Sequence, residues 1–467
     1  MSFARQHQAW TEAQHKAARD VAAQIRTLGV VRLAFADAHG VLRGKTLVAA
    51  EAERLLDQGV RATTTLLMKD LSGKTAFPVF GPDGGGFGEP LLRGAADMVM
   101  LPDPATFQVL PWAPHTGWLL CDLFLPDGRA MPLSSRAQLA RQVSVLAGQG
   151  MRFVAGVEVE CHITRAAPNQ PNGEPGARAL LNPGYQYLTE LRYDELDPLM
   201  EQLRTALQGL GLPLRTLEVE FGPSQIELTF GPGEGLAPAD QLILVRSAVK
   251  QVCRRGGYVA SFMSRPKLPH VVSSGWHLHQ SVLDAAGHNL FMNDAAPLSS
   301  FGQKWLGGLL TNAGASCAFT TPTINGYRRY RPYTNAPTRA GWAADNRGAM
   351  IRVLGGPGDT ATRLENRAGE PGANPYLAIA AQIASGLHGV ESSLDPGAMS
   401  VAPYDDDRPL LPRSLPEALA ALQANACLNA AFGPAFIDYF YRLKQAELDR
   451  FQAVVTEWEH QEYFELL

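Results

Sequence analysis

Four stretches of the chain alternate apolar and polar residues with the period of a β-strand, and each places ionisable groups on one face. In FVAGVEVECHIT (residues 153–164), Phe153, Ala155, Val157, Val159, Cys161 and Ile163 share one side, while Glu158, Glu160 and His162 share the other. TLEVEFGPSQIELTF puts Glu218 and Glu220 on one face before a Gly222-Pro223 break, and Gln225, Glu227 and Thr229 on one face after it. SSGWHLHQSV sets Trp276, Leu278, Gln280 and Val282 against His277, His279 and Ser281. TRLENRAG alternates Arg363, Glu365 and Arg367 with Leu364 and Asn366. Helical runs separate these strands: SSRAQLARQVSVLAGQG, DPLMEQLRTALQGLG and PADQLILVRSAVKQVCRRGG each begin near Ser, Asp or Pro and end at Gly. YLAIAAQIASGLHG reads as a helix capped by Asn374-Pro375-Tyr376 and closed near Gly389.

Upstream, residues 8–28 carry Trp10, Ala17, Ala18, Val21, Ile25 and Leu28 on a helical stripe, and VVRLAFADAHGVLRGKTLV reads as a hairpin turning at Asp37 to Gly40. FPVFGPDGGGFGEP (77–90) is too rich in Gly and Pro for a helix and reads as a long loop, and PNQPNGEPGAR (168–178) as a mobile one. The proline-punctuated segment 102–114 marks a handover to a larger unit, with GWLLCDLFL as that unit's expected first strand. The C-terminal FQAVVTEWEHQEYFELL is expected to be an amphipathic helix packed within the subunit or an assembly of subunits. The pattern as a whole is α+β, and 467 residues suit two or three units of about 150.

One E-x-E strand alone would suit a solvated antiparallel sheet. Four such faces, dominated by Glu and His with some Arg and almost no Lys, do not. Carboxylates crowded together repel one another, so the cluster makes sense when divalent cations compensate it. Oxygen-rich ligands without thiolate favour Mg²⁺ or Mn²⁺ over Zn²⁺, and the number of ligands allows two or more ions. A second cluster, NGYRRYRPYTNAPTRAGWAADNRGAMIRV, packs Arg328, Arg329, Arg331, Arg339, Arg347 and Arg352 into 25 residues. Guanidinium groups suit planar recognition of carboxylate or phosphoryl oxygens. Beside a metal cradle they fit phosphoryl transfer. No GxxxxGK[ST] or kinase-type glycine loop occurs.

Composition narrows the partners. The 41 basic and 45 acidic side chains give a net charge of −4 without long runs of one sign, which argues against nucleic acid. No run approaches the roughly 18 apolar residues of a membrane span. Five scattered cysteines (121, 161, 253, 317, 427) and an N-terminus without a leader pattern point to the cytoplasm.

The E-x-E strand, EFGPSQIE, SGWHLHQS, NGYRRYRP with AP, NR and R downstream, and RLENR followed by ANPYL resemble, in order and spacing over about 220 residues, the motifs of the glutamine synthetase superfamily. The resemblance implies a small β-grasp N-terminal domain (1–115) and a catalytic domain (116–467) whose curved antiparallel sheet forms half a barrel flanked by helices. It also implies stacked rings, commonly dodecamers, with a neighbour's N-terminal domain closing each site. By position, Glu160, Glu220 and Glu227 would hold one metal, and Glu158, His277 and Glu365 a second. His279, Ser281 and Arg363 would face ATP, Arg329 and Arg367 the glutamate carboxylates, and Arg347 and Arg352 the transferring phosphoryl group. The implied reaction phosphorylates the γ-carboxylate of glutamate and lets an amine displace phosphate.

The departures from that family pattern are specific. Ammonia-using members carry a glutamate where, six residues after Arg329, this chain has Asn335. Asparagine lacks the charge and basicity to bind and deprotonate ammonium. The loop before His277 reads VVSSG, so that Val272 and Ser273 reshape the glutamate and amine region, and no clear D-G-S-S motif precedes it, Asp70 being the nearest candidate. The expectation is therefore a γ-glutamylamide ligase acting on an organic amine, whether alkyl, aromatic such as aniline, or polyamine. The alternatives are a glutamine synthetase using ammonia and a catalytically inactive ring-forming homologue. A guanidino phosphotransferase is disfavoured by the Arg329 and Arg367 pair.

Overall fold

The computed structural model of the chain describes residues 1–166, 179–185 and 187–467, and the loop expected at 168–178 lies outside them. The N-terminal stripe becomes the helix Glu12–Ile25, opened by a Thr11–Gln14 capping box. The hairpin forms from β1 (Val30–Ala36) and β2 (Leu42–Val48), and the Asp37 carboxylate accepts the His39 and Val41 N–H groups in the turn. With β3 (Val60–Thr63), β4 (Asp97–Pro102), β5 (Gln108–Leu110) and β6 (Ala113–Phe124) they build a sheet in the order β2-β1-β6-β4-β3, with β5 also on β6. Residues 77–90 are free of helix and strand except at Pro90, where a short 3₁₀ turn begins.

The strand containing GWLLCDLFL lies inside this first sheet and does not open the larger unit. It runs parallel to β1 and antiparallel to β4 and β5, and Thr116 to Cys121 are buried without alternation. A strand covered on both faces reads as a continuous apolar run, so its sequence carries no sign of which sheet it joins. A division of the chain between residues 115 and 116 would pass through it.

The second sheet comprises β7 (Arg152–Arg165), β8 (Ala179–Leu180), β9 (Leu214–Val219), β10 (Gln225–Phe230), β11 (Gly233–Glu234), β12 (Tyr258–Ser261), β13 (Trp276–Leu283), β14 (Trp342–Ala344), β15 (Ile351–Leu354) and β16 (Arg363–Gly369). Its main path is β14-β15-β16-β13-β7-β10-β9, with β8, β11 and β12 also on β7, and neighbours are antiparallel apart from β14 and β15. The fold is thus α+β, with a small N-terminal sheet and a large curved antiparallel sheet flanked by helices. The apolar side of β7, from Phe153 to Ile163, is buried under the helices Ser135–Gly148 and Ala237–Arg255.

Two helices differ from their sequence readings. The helix expected from Asp197 begins at Glu190, with Pro198 inside it. Proline normally marks a first turn, but here the helix absorbs one lost N–H bond. The expected C-terminal helix is broken. Pro434–Gln452 ends before Val454-Val455, and Thr456 and Glu459 cap a new helix, Glu457–Tyr463, that buries none of its residues. Asn374 caps Pro375–Glu391 by accepting the Tyr376 N–H, as expected. No helix among the described residues is long and apolar enough to cross a membrane.

Candidate active site

Strand register assembles the site. β7 pairs with β10 so that Glu160 faces Glu227, and with β13 so that Glu158 faces His277. β10 sets Glu227 opposite Glu218 on β9. β13 sets His279 opposite Glu365 on β16, and β16 sets Glu365 opposite Arg352 on β15. Directly opposed residues on one face stand about 5 Å apart, so each pairing places two functional groups in contact. Glu220 follows the end of β9, where its N–H donates to the Gln225 carbonyl. Trp276 points the other way and is core, 2% exposed, so it forms no wall of the site.

The ligand atoms of Glu158, Glu227 and His277 lie within 4.8 Å of one another, and so do those of Glu158, His279 and Glu365. Glu158 belongs to both groups, 3.2 Å from His277 Nδ1 and 2.7 Å from His279 Nε2. Glu365 is fully buried; it accepts hydrogen bonds from Arg352 Nη1 at 3.0 Å and from Arg367 Nη1, and lies 3.6 Å from His277 Nδ1. His279 therefore stands with the carboxylates as well as beside the neighbouring cavity.

The electrostatics divide the cluster in two. Burial, with the Glu220 charge, pushes Glu160 well above the usual carboxylate range, and burial with the charges of Glu160 and Glu220 does the same to Glu227. Burial also raises Glu220. Glu158 and Glu365 go the other way. Hydrogen bonding to His277 and His279 outweighs burial at Glu158, and the Arg367 guanidinium, beside the His277 ring, outweighs it at Glu365. Burial and the Arg367 charge depress His277 to about 4, so its ring is neutral and able to coordinate at pH 7. Three buried carboxylates, each raised by burial and two of them also by the charge of their neighbours, need positive charge to ionise together, and oxygen donors with a neutral imidazole are the ligands that hard divalent cations prefer. The residues fit such ions.

The other expected site residues separate into groups. His279, Ser281 and Arg363 line a cavity of about 390 Å³ together with Glu158, Arg215 and Thr360, and Arg363 Nε donates to His279 Nδ1 at 3.2 Å. Arg329 and Arg367 are buried side by side, Arg329 Nη1 donating to the Arg367 carbonyl at 2.8 Å. Asn335 is exposed at φ +56°, and its carbonyl accepts from Arg367 Nη2 at 3.3 Å. Arg352 also pairs with Asp345. Arg347 is exposed at the rim, its carbonyl accepting from Arg367 Nε at 3.2 Å. Ser273 stands apart from the carboxylates, its hydroxyl held by Arg265 Nη1 at 3.0 Å. Arg328 is not part of this site: the 3₁₀ turn Gly326–Arg328 directs it to another cavity. Asp70 is buried against its own chain, capped by the N–H groups of Ser72 and Lys74 and paired with Arg450.

Three contributors escape the sequence reading. Gln225 Nε2 donates to Glu160 at 2.8 Å and to Ser274 at 3.0 Å, fixing the carboxylate's orientation; its place on the Glu227 face was the available signal. Gly275 leaves room for Arg329, since a Cβ there would lie 2.6 Å from Nη2. Asp345 is a second carboxylate for Arg352.

The catalytic-domain model of glutamine synthetase matches residues 132–463. The whole chain aligns at 42% identity with 99% of a gamma-glutamylanilide synthase from an Acinetobacter species, and 94% of it aligns at 31% identity with 93% of a gamma-glutamylethanolamide synthetase from Streptomyces coelicolor. Among solved structures, an ADP complex of GmaS superposes with a TM-score of 0.80 at 27% identity, covering 96% of this chain and 99% of that one.

Proposed function

Because the chain belongs to the glutamine synthetase family, whose enzymes use ATP and divalent metals, we propose that it is an ATP-dependent ligase that joins the γ-carboxylate of L-glutamate to an organic amine. The observation that carries the reading is Glu365, which is tied to His277 on one side and to Arg352 and Arg367 on the other. One buried carboxylate thereby joins the metal-type ligands to the guanidinium cluster, the juxtaposition that phosphoryl transfer onto a carboxylate requires.

In this reading Glu160, Glu220 and Glu227 hold one Mg²⁺ or Mn²⁺, and Glu158, His277 and Glu365 a second, with His279 in reach. The ions would neutralise the nucleotide phosphates and polarise the bond to the leaving ADP. His279, Ser281 and Arg363 bind the nucleotide in the adjoining cavity, Arg329 and Arg367 orient the two carboxylates of glutamate near Ser273, and Arg352 and Arg347 offset the charge of the transferring group. A γ-carboxylate oxygen forms the new bond to phosphorus as ADP leaves. The amine nitrogen then attacks the acyl carbon, phosphate departs, and the nitrogen gives up a proton.

Asn335 selects the acceptor. An ammonium ion must be bound as a cation and deprotonated, and a neutral amide does neither well. A weakly basic aromatic amine arrives as the free base, and its nitrogen attacks without a carboxylate at that position. An aniline-like acceptor is therefore favoured over alkylamines and polyamines, in keeping with the similarity to a gamma-glutamylanilide synthase. We further infer a cytoplasmic enzyme assembled into stacked rings as a dodecamer, in which a neighbour's N-terminal domain closes each site.

The acyl phosphate is testable by trapping. With glutamate, ATP and Mg²⁺, hydroxylamine should yield γ-glutamyl hydroxamate with stoichiometric ADP. ADP release without hydroxamate would remove the intermediate from the scheme.

A further inference from the structure

A second cavity, of about 820 Å³, lies between the β1–β2 turn, the helix Ala237–Arg255, the segment after β12 and the helix Pro434–Gln452. Its volume is that of a small-molecule site. It shares no residue with the carboxylate cluster. Ser264 in its wall bonds Ser274, and Ser274 bonds Gln225, which holds Glu160, so that three hydrogen bonds separate the two.

The charge lining this cavity is unbalanced. Arg246, Lys250 and Arg328 all line it, and none of them makes an ion pair among the described residues. Arg246 is 7% exposed; its Nη1 donates to the carbonyls of Pro371 and Ala373, while its Nη2 has no hydrogen-bond partner among the described residues. Lys250 stands one helical turn further on, with its Nζ 5.7 Å from the centre of the Phe262 ring. Burial and the charge of Arg246 depress its pKa, as expected for a cation without a counterion. The two carboxylates in the wall are already engaged. Glu447 pairs with Lys444, and Glu370 accepts from the Thr323 N–H and hydroxyl. Burial also pushes Glu370 up to about 7, so it carries only part of a negative charge at neutral pH.

We propose that this cavity binds a small organic carboxylate, its charge taken by Lys250 and Arg328 over the fixed charge of Arg246, and its apolar body resting on Phe262. A guanidinium and an ammonium in the wall of one cavity can each give a carboxylate charge-assisted hydrogen bonds, and an aromatic floor selects against a bare inorganic anion. The proposal stands independently of the ligase reading.

Calorimetric titration of the full-length protein, free of substrates, tests it with three probes: benzoate, neutral benzamide and inorganic phosphate. Benzoate should bind at least tenfold more tightly than either of the others. Lys250→Met and Arg328→Met should each weaken benzoate at least tenfold while thermal unfolding and assembly size stay at wild-type values. Absence of benzoate binding, phosphate binding as tight as benzoate, or an unchanged benzoate affinity in both variants would each overturn the proposal.

Discussion

Replacing Glu365 with Gln should lower kcat by about 10³-fold or more, the scale seen when a preorganised charge partner is lost from a transition state. The side chain is fully buried and keeps its shape in the amide, so the loss isolates charge from volume. Three groups feel it. His277 keeps only Glu158 of the two carboxylates beside its Nδ1, Arg367 loses its only ion-pair partner among the described residues, and Arg352 keeps Asp345 alone. Removing one member of a buried ionic set costs about 3–5 kcal/mol of stability, because the remaining charges stay desolvated. Unfolding followed by circular dichroism should therefore shift down together with activity. Glu365→Asp, which keeps the charge but draws it back, should recover stability more than activity. A Gln variant retaining more than about a tenth of wild-type kcat would remove Glu365 from the chemistry.

Asn335→Glu should change the ratio of kcat/KM for ammonia to that for an aromatic amine by at least tenfold in favour of ammonia, equivalent to about 1.4 kcal/mol. The new carboxylate would supply the cation site and base that the amide lacks. It would also stand near Arg367, whose Nη2 already reaches the backbone carbonyl of residue 335, so KM for glutamate should rise as well. Residue 335 sits at φ +56°, a conformation asparagine tolerates better than glutamate. A cost of about 1–2 kcal/mol in local stability is expected and is compatible with folding. An unaltered ratio would mean that this position does not select the acceptor.

The candidate catalytic face is legible in the sequence because strand alternation has a period of two: once Glu158 and Glu160 are assigned to one side of β7, the partners on β10, β13 and β16 follow from which residues can share that side. Pairings across strands, by contrast, depend on register, which no single strand encodes. The motif around His279 therefore points only to the nucleotide, although register also stands it with Glu158 and Glu365. Arg328 looked like a member of the arginine cluster because it neighbours Arg329 in sequence, but one 3₁₀ turn sends adjacent side chains in different directions. The strand Ala113–Phe124 gave no hint of its sheet, since burial on both faces erases alternation. At the C-terminus, two β-branched residues followed by a capping threonine made a break where amphipathic spacing suggested continuity.

In the proposed reaction an organic amine, not ammonia, supplies the nitrogen that displaces phosphate. The most direct measurement is phosphate release by the wild-type protein with glutamate, ATP and Mg²⁺, comparing aniline with ammonia at equal concentration of free base. The kcat/KM for aniline should be at least a hundredfold above that for ammonia, with γ-glutamylanilide formed in step with ADP. Phosphate release with ammonia as efficient as with aniline or any other organic amine would contradict it.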